Sequence, residues 1–150
     1  MIIEQVAKIG EKITLSHYLP IEAPATYAYV HPGNRMASVV GLSKTGYDEE
    51  GKEMAMQVIA GRPVALNKAT VPAEVIEREM EVYRGQVREE GKPENMVEKI
   101  AEGKLNKFFK ESTLLSQEYT REAKVSVEEH LKKIDKDLTV TAFQRAELGE

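Results

Sequence analysis

The sequence predicts an α+β domain: a small antiparallel sheet packed with helices, and a protruding antiparallel helical hairpin that forms a coiled coil. Three observations predict this class. Alternating, β-prone segments occur near both ends of the chain. Long segments with helical spacing of apolar residues fill the middle. The length of 150 residues suits one compact domain with an appendage.

The composition excludes several classes of protein. The 21 basic and 25 acidic side chains give a net charge of −4, which is not typical of nucleic-acid binding. The absence of cysteine excludes disulfides, thiolate zinc sites and cysteine nucleophiles, and it fits a reducing cytosol. No apolar run approaches the roughly 20 residues of a spanning helix, and the N-terminus does not resemble a signal peptide. We expect a cytoplasmic protein without direct nucleic-acid or membrane binding.

The first 19 residues predict one helix and one strand. Ile2, Ile3, Val6 and Ile9 have the spacing of a short amphipathic helix. Residues 12–19, KITLSHYL, alternate and predict a strand. Residues 13–18 also match residues 138–143 position by position, which suggests the duplication of a strand-containing unit.

A β-hairpin follows over residues 26–42. Pro32, Gly33 and Asn34 supply its turn, because proline presets φ and the next residue accepts a positive φ. Both faces of the second strand are fairly apolar, which is typical of a central strand.

The next predicted element is a helix from Asp48 to about Ala60. Asp48 is placed to cap its N-terminus, and Gly61 is placed as its C-terminal cap. Its apolar stripe consists of Met54, Ala55, Val58 and Ile59.

Two longer predicted helices make up the helical hairpin. The first begins after Pro72, runs to about Glu90 and has a coiled-coil seam. Residues 91–93, Gly-Lys-Pro, link it to a second amphipathic helix, in which Gly103 is expected to let the partner helix come close. The seam residues are Ile76, Met80, Tyr83 and Val87 on the first helix and Val97, Ala101, Leu105 and Phe108 on the second, widened by Met96 and Ile100.

The last 26 residues predict a short helix and a strand. Ser126 and Glu129 form a Ser-x-x-Glu capping box for a helix that ends near Ile134. Residues 138–148, LTVTAFQRAEL, predict a strand.

No motif predicts catalysis, a cofactor or a metal site. The three histidines do not have ligand spacing: His17 is expected to be structural and His130 solvated, and His31 lies at the turn. Residues 44–46, Lys-Thr-Gly, lack the companion motifs of penicillin-recognising enzymes. Residues 91–93 lack the glycines of a phosphate loop. The pattern therefore favours a binding module over an enzyme.

Long stretches of the chain resemble the C-terminal part of the elongation factor Ts family, the bacterial guanine-nucleotide exchange factors for elongation factor Tu. The longest is GKPENMVEKIAEGKLNKF, residues 91–108, followed by Glu111 and by LLSQ at residues 114–117. The resemblance continues in PAEVIERE at residues 72–79, Tyr29-x-His31 with Arg35, KIGEKI at residues 8–13, and VTAFQRAELG at residues 140–149.

The resemblance implies a division of the chain. Family members have a core of two related subdomains. Residues 1–24 would be the tail of a preceding, missing subdomain, with a helix and a strand, and residues 25–150 the second subdomain, with the hairpin inserted at about 72–112. The first subdomain of the family carries a Thr-Asp-Phe-Val element that disturbs the nucleotide site of elongation factor Tu. No Thr-Asp-Phe occurs in this sequence, so binding without full exchange activity is expected.

The resemblance also implies a partner and a contact surface. The expected partner is elongation factor Tu, GDP-bound and nucleotide-free, and the chain itself is not expected to be an enzyme. The residues expected to contact it are His31, Gly33, Arg35, Met56, Gln57 and Gly61. The alternative is a scaffold or homodimerisation module that uses the helical hairpin and the edge of the 12–19 strand. An enzyme would need a pocket that joins His31 to carboxylates.

Overall fold

The computed structural model describes residues 2–15 and 17–149, and it confirms the α+β class. Within these residues, three strands form one antiparallel sheet in the order β1-β2-β3, and five α-helices accompany it. In chain order the elements are α1 (Ile2–Ile9), β1 (Ala25–Val30), β2 (Met36–Leu42), α2 (Asp48–Gly61), a 3₁₀ helix (Lys68–Thr70), α3 (Ala73–Glu89), α4 (Glu94–Ser112), α5 (Val127–Ile134) and β3 (Val140–Glu147). Within the described ranges no helix is long and apolar enough to span a membrane.

The hairpin and the central position of its second strand are confirmed. Tyr27 pairs with Val40 across β1 and β2, and Val40 pairs with Phe143 of β3 on its other side. A register irregularity lies between Gly41 and Leu42. Both edges of β2 are therefore paired, as expected of a central strand.

The larger core lies between the sheet, α2 and α5. Met54, Ala55 and Val58 of the predicted α2 stripe are fully buried, and Ser38 of β2 donates from Oγ to the carbonyl of Ala55 at 2.7 Å. We call this group of residues the main cluster: Val40, Leu42, Met54, Ala55, Val58, Leu114, Leu115, Tyr119, Val127, Leu131, Leu138 and Val140.

The predicted caps of α2 are both wrong. Asp48 is the first helical residue and accepts a hydrogen bond from the Tyr27 hydroxyl at 2.8 Å, while Tyr47 precedes the helix without a side-chain cap. Gly61 is the last helical residue, and Arg62 takes the left-handed cap position with φ of 44°. A glycine fits at position 61 for a different reason: an added Cβ would overlap the Gln117 side chain, lying 2.8 Å from its Cδ.

Helices α3 and α4 pack against each other as an antiparallel pair. Arg84 pairs with Glu98 at 2.7 Å, Arg88 with Glu94 at 2.7 Å and Glu90 with Lys104 at 2.8 Å; the first and third of these contacts join residues 14 positions apart. Of the predicted seam, Met80, Val87, Val97 and Ala101 are buried, Met96 is exposed, and the other members are half-buried. The supercoil and protrusion of this pair stay predictions.

The predicted link between these helices is confirmed. Gly91 has φ of 70°, its N–H donates to the carbonyl of Arg88, and the N–H of Lys92 donates to the carbonyl of Val87. This is the Schellman pattern, which satisfies the last carbonyls of a helix and requires a left-handed residue at the glycine position.

The role predicted for Gly103 is wrong. This residue is exposed, and a Cβ added to it would meet nothing within 4 Å. Phe109, which lies outside the predicted stripe, packs with Ala65 and Val71 of the segment that follows α2, and we call these three residues the second cluster. The predicted seam residues Ile76, Leu105 and Phe108 pack against it.

The predicted strand at 12–19 is also wrong. Residues 12–15 and 17–19 form no strand, and Ser16 lies outside the described residues. The chain instead continues along the face of the sheet opposite α2, where a Cβ at Gly41 would lie 2.5 Å from that of Ala23. The match between residues 13–18 and 138–143 therefore does not correspond to two strands.

The C-terminal elements agree with the prediction. Ser126 accepts from the N–H of Glu129, and Glu129 accepts from the N–H of Ser126, so the capping box of α5 is complete. The predicted final strand is confirmed, with β3 starting two residues later than expected.

Candidate partner-binding surface

The predicted site residues at the β-hairpin occupy a tight turn. The N–H of Asn34 donates to the carbonyl of His31 at 3.0 Å, and Gly33 has φ of 94°. Gly33 and Arg35 are exposed. His31 is half-buried, with its Nδ1 3.3 Å from the Tyr29 hydroxyl. The turn therefore exposes its backbone and the Arg35 guanidinium to solvent, while the His31 imidazole contacts Tyr29.

The predicted site residues on α2 differ in accessibility. Met56 is 36% exposed, whereas Gln57 is only 1% exposed. Gly61 is half-buried against Gln117. Of these three residues, Met56 alone offers an exposed side chain to a partner.

Gln57 and Gln117, which we call the glutamine pair, form a buried polar network. The Nε2 of Gln57 donates to Oε1 of Gln117 and to the carbonyl of Glu118, both at 3.2 Å. Its Oε1 accepts from the N–H of Thr120 at 3.0 Å. Burial of a side-chain amide is tolerated only when its groups are hydrogen-bonded, and these partners meet that condition.

The structure brings the turn and the end of α2 to the same end of the sheet. The N–H of Leu148 donates to the carbonyl of Arg35, next to Glu147 at the end of β3. Arg62, directly after α2, pairs with Glu147 at 3.1 Å, and Arg145 pairs with it at 2.7 Å. The hydrogen bond from Arg145, supported by the charge of Arg62, lowers the pKa of Glu147.

Sequence reasoning did not assign a role to this ion cluster. Arg145 and Glu147 alternate on β3, which signals a shared face, but nothing near Arg62 indicates that it closes onto that strand. Arg62 has the left-handed backbone conformation of the α2 C-cap and contacts β3 through its side chain.

A second polar cluster lies beside Met56 on α2. Glu53, one turn earlier, accepts a hydrogen bond from the Tyr119 hydroxyl and pairs with Arg121. Burial raises the pKa of Tyr119, and the bond to Glu53 adds to the shift. The predicted solvation of His130 is wrong, since its ring stacks on Tyr119 with centroids 4.1 Å apart.

The enzyme alternative would need a pocket that joins His31 to carboxylates. Within residues 2–15 and 17–149, no group of three or more histidine, aspartate or glutamate residues is placed to hold a metal ion. A groove between the end of α4 and α5 has mixed charges and is lined by Lys107, Lys110, Glu118, Lys124, Glu128 and Glu129 among others. It does not bring His31 next to carboxylates.

The chain was compared with known proteins. A sequence profile of the family described as Elongation factor TS matches residues 1–150. Elongation factor Ts of Christiangramia forsetii is 46% identical over 148 residues, which cover 97% of this chain and 54% of the relative. That of Flavobacterium psychrophilum is 41% identical over 150 residues, with 99% and 55% covered.

A third relative gives the same result. Elongation factor Ts of Hydrogenobaculum sp. is 42% identical over 146 residues, which cover 97% of this chain and 52% of the relative. The chain thus spans about half the length of the curated relatives it matches. With a profile match along its whole length and relatives above 40% identity, this chain belongs to the elongation factor Ts family.

Proposed function

We propose that this chain binds elongation factor Tu and carries part of the surface by which elongation factor Ts promotes GDP release. The observation that carries the proposal is the similarity to elongation factor Ts over 97–99% of the chain. Translation takes place in the cytoplasm, which we propose as its location.

The chain corresponds to the second core subdomain of the family. In this proposal residues 1–24 belong to the end of the preceding subdomain, and residues 25–150 form the second one. The α3–α4 pair, within residues 72–112, forms its coiled-coil hairpin. Because no Thr-Asp-Phe-Val element occurs in this chain, it binds elongation factor Tu without full exchange activity.

The contact surface combines the hairpin turn and the outer side of α2. His31, Gly33 and Arg35 contribute from the turn, and Met56 contributes from the helix. The ion cluster of Arg62, Arg145 and Glu147 supports this arrangement because it holds the two segments at one end of the sheet. Gln57 and Gly61 belong to the same surface. Because Gln57 is buried and Gly61 is half-buried, they contribute by setting the shape of α2.

The exchange mechanism requires no covalent step. A factor that binds nucleotide-free elongation factor Tu more tightly than the GDP complex must weaken GDP binding by the same factor. A chain that contacts only surfaces common to both states binds both equally and accelerates nothing. In this proposal the chain retains affinity for elongation factor Tu. It largely lacks the preference for the nucleotide-free form over the GDP complex that accelerates GDP release.

Binding and exchange are tested with the same preparation. Calorimetry against elongation factor Tu measures affinity, and release of a fluorescent GDP analogue measures exchange. We expect measurable binding and little acceleration. The Met56→Ala variant should weaken binding at least about fivefold, whereas Val82→Ala, which truncates an exposed apolar residue on α3, should not. Absence of binding by the unmodified chain refutes the proposal, and near-full acceleration refutes the need for the missing element.

A self-association module is the second candidate. The observation that favours it is a concentration of exposed apolar side chains before β1: Ile3 is 85% exposed, Tyr18 82% and Leu15 65%. Exposed apolar patches commonly mark interfaces. Light scattering discriminates between the candidates, since a stable homodimer that fails to bind elongation factor Tu supports this one.

A further inference from the structure

The glutamine pair connects two parts of the chain that are distant in sequence: α2, and the end of α4 with the loop that follows it. Gln57 lies in α2, and Gln117 lies five residues after the end of α4. Gln117 donates from Nε2 to the carbonyl of Gly61 at 2.8 Å and to the carbonyl of Glu111 at 3.0 Å. These carbonyls belong to the last turns of α2 and α4, respectively.

Carbonyls in the last turn of a helix have no partner within the helix and need one from outside. One side-chain amide here satisfies a terminal carbonyl of two different helices. Its remaining atom, Oε1, accepts from Gln57, so the amide cannot rotate without losing a bond. The missing side chain at Gly61 provides the space for this approach.

Gln57 extends the same connection to the loop after α4. Its bonds to the carbonyl of Glu118 and the N–H of Thr120 fix the backbone that leads to Tyr119 and Arg121. Those two residues contact Glu53 on the exposed side of α2, next to Met56. The glutamine pair therefore fixes chain segments on both sides of α2, the helix that carries Met56.

We infer that Gln57 and Gln117 are positioning residues: they fix the end of α4, and with it the α3–α4 pair, relative to α2, and they hold the 118–121 loop against the side of α2 that carries Met56 in the proposed surface for elongation factor Tu. This inference rests on the proposed function, and it assigns Gln57 an indirect role in place of direct contact.

The α3–α4 pair is joined to the rest of the chain by the second cluster around Phe109, by backbone bonds such as that from the N–H of Leu114 to the carbonyl of Ala65, and by the bond from Gln117 to Glu111. The orientation of the pair therefore depends on this joint at the end of α4.

The test measures orientation and affinity separately. Because the sequence has no cysteine, Lys52→Cys on α2 and Lys99→Cys on α4 introduce unique positions for spin labels at two exposed residues. Gln117→Met keeps the approximate volume of the side chain and removes both donors. We expect the distribution of distances between the labels to shift or widen, and the affinity of the unlabelled variant for elongation factor Tu to fall about tenfold.

Two control variants make the result specific. Met56→Ala should weaken binding without changing the distance distribution. Asp135→Asn, which removes a carboxylate bonded to Lys44 and Tyr47 away from the glutamine pair, should leave the distance distribution unchanged while lowering stability. If Gln117→Met fails to fold, Gln57→Met tests the same joint, because it removes the bonds to the loop and leaves those of Gln117 to the helix ends.

The outcomes are distinguishable from a failure of the proposed function. The distances are measured without a partner, so they remain informative if the unmodified chain does not bind elongation factor Tu. A folded variant with an unchanged distance distribution overturns the inference. A widened distance distribution with unchanged affinity for elongation factor Tu also overturns the inference, because the glutamine pair then does not position the binding surface.

Discussion

The main cluster and the α3–α4 pair are stabilised in different ways. The main cluster is enclosed by the sheet, α2 and α5, and most of its members are fully buried. The α3–α4 pair has four buried residues along its predicted seam, and its charged contacts are largely exposed. Burial contributes far more free energy than exposed ion pairs do. We therefore expect the two regions to differ in their response to truncation, to added methyl groups, to acid and to salt.

The largest contrast is expected from leucine truncation. Leu131 is fully buried in the main cluster, so Leu131→Ala should lower the free energy of unfolding by about 2–5 kcal/mol. Leu105 of α4 is only half-buried, so Leu105→Ala should cost less than about 2 kcal/mol. Urea unfolding followed by circular dichroism measures both. Equal losses would show that the two regions are equally well packed.

Two glycines provide the next contrast. Gly61→Ala introduces a methyl group against Gln117 and should destabilise the chain by about 1–3 kcal/mol. Gly103→Ala places the same group in open space on an exposed helix and should stabilise it by up to about 1 kcal/mol. Melting temperatures of the two variants should move in opposite directions. A stabilised Gly61→Ala variant would mean that Gln117 can move aside at no cost.

Acid should affect the sheet domain through Asp135. Two bonds from Lys44 Nζ, at 2.7 and 2.8 Å, depress the pKa of Asp135, and the Asp137 N–H and the Tyr47 hydroxyl contribute further. A depressed carboxylate pKa stabilises the folded state above the unfolded value of about 4, and this contribution is lost as the pH falls below it. The stability difference between the unmodified chain and Asp135→Asn should therefore shrink between about pH 5 and pH 3. A difference that is constant with pH would contradict this assignment.

The smallest effect is expected from the ion pairs of the helices. Glu98→Gln removes the pairing with Arg84, and an exposed pair of this kind contributes about 0.2–1 kcal/mol. Added salt should mimic part of this loss because it screens exposed charges. Hydrogen exchange of the α3 amides should accelerate slightly, while exchange in β2 stays constant. A larger response in β2 than in α3 would reverse the comparison between the two regions.

The errors of the sequence-based prediction have a common physical cause. Residues 12–19 alternate like a strand, but a strand also needs a neighbouring strand for its backbone groups, and alternation does not show whether one is available; residues 12–15 and 17–19 form no strand. The position of Gly61 after the α2 stripe predicts a cap, yet the space at Gly61 is required by Gln117, 56 residues later. The burial of Gln57 also depends on distant residues, so the sequence does not show it.

Local chemistry, by itself, determined most of the elements of this protein. Apolar periodicity, the Pro-Gly turn, the capping box of Ser126 and the glycine at position 91 act within a few residues, so they can be read directly. Long motifs, above all residues 91–108, identified the family. Tertiary structure decided which side chains remain accessible and which helix ends share a partner. Burial of Gln57 and capping by Gln117 depend on segments about 60 residues apart, and no local pattern encodes such contacts.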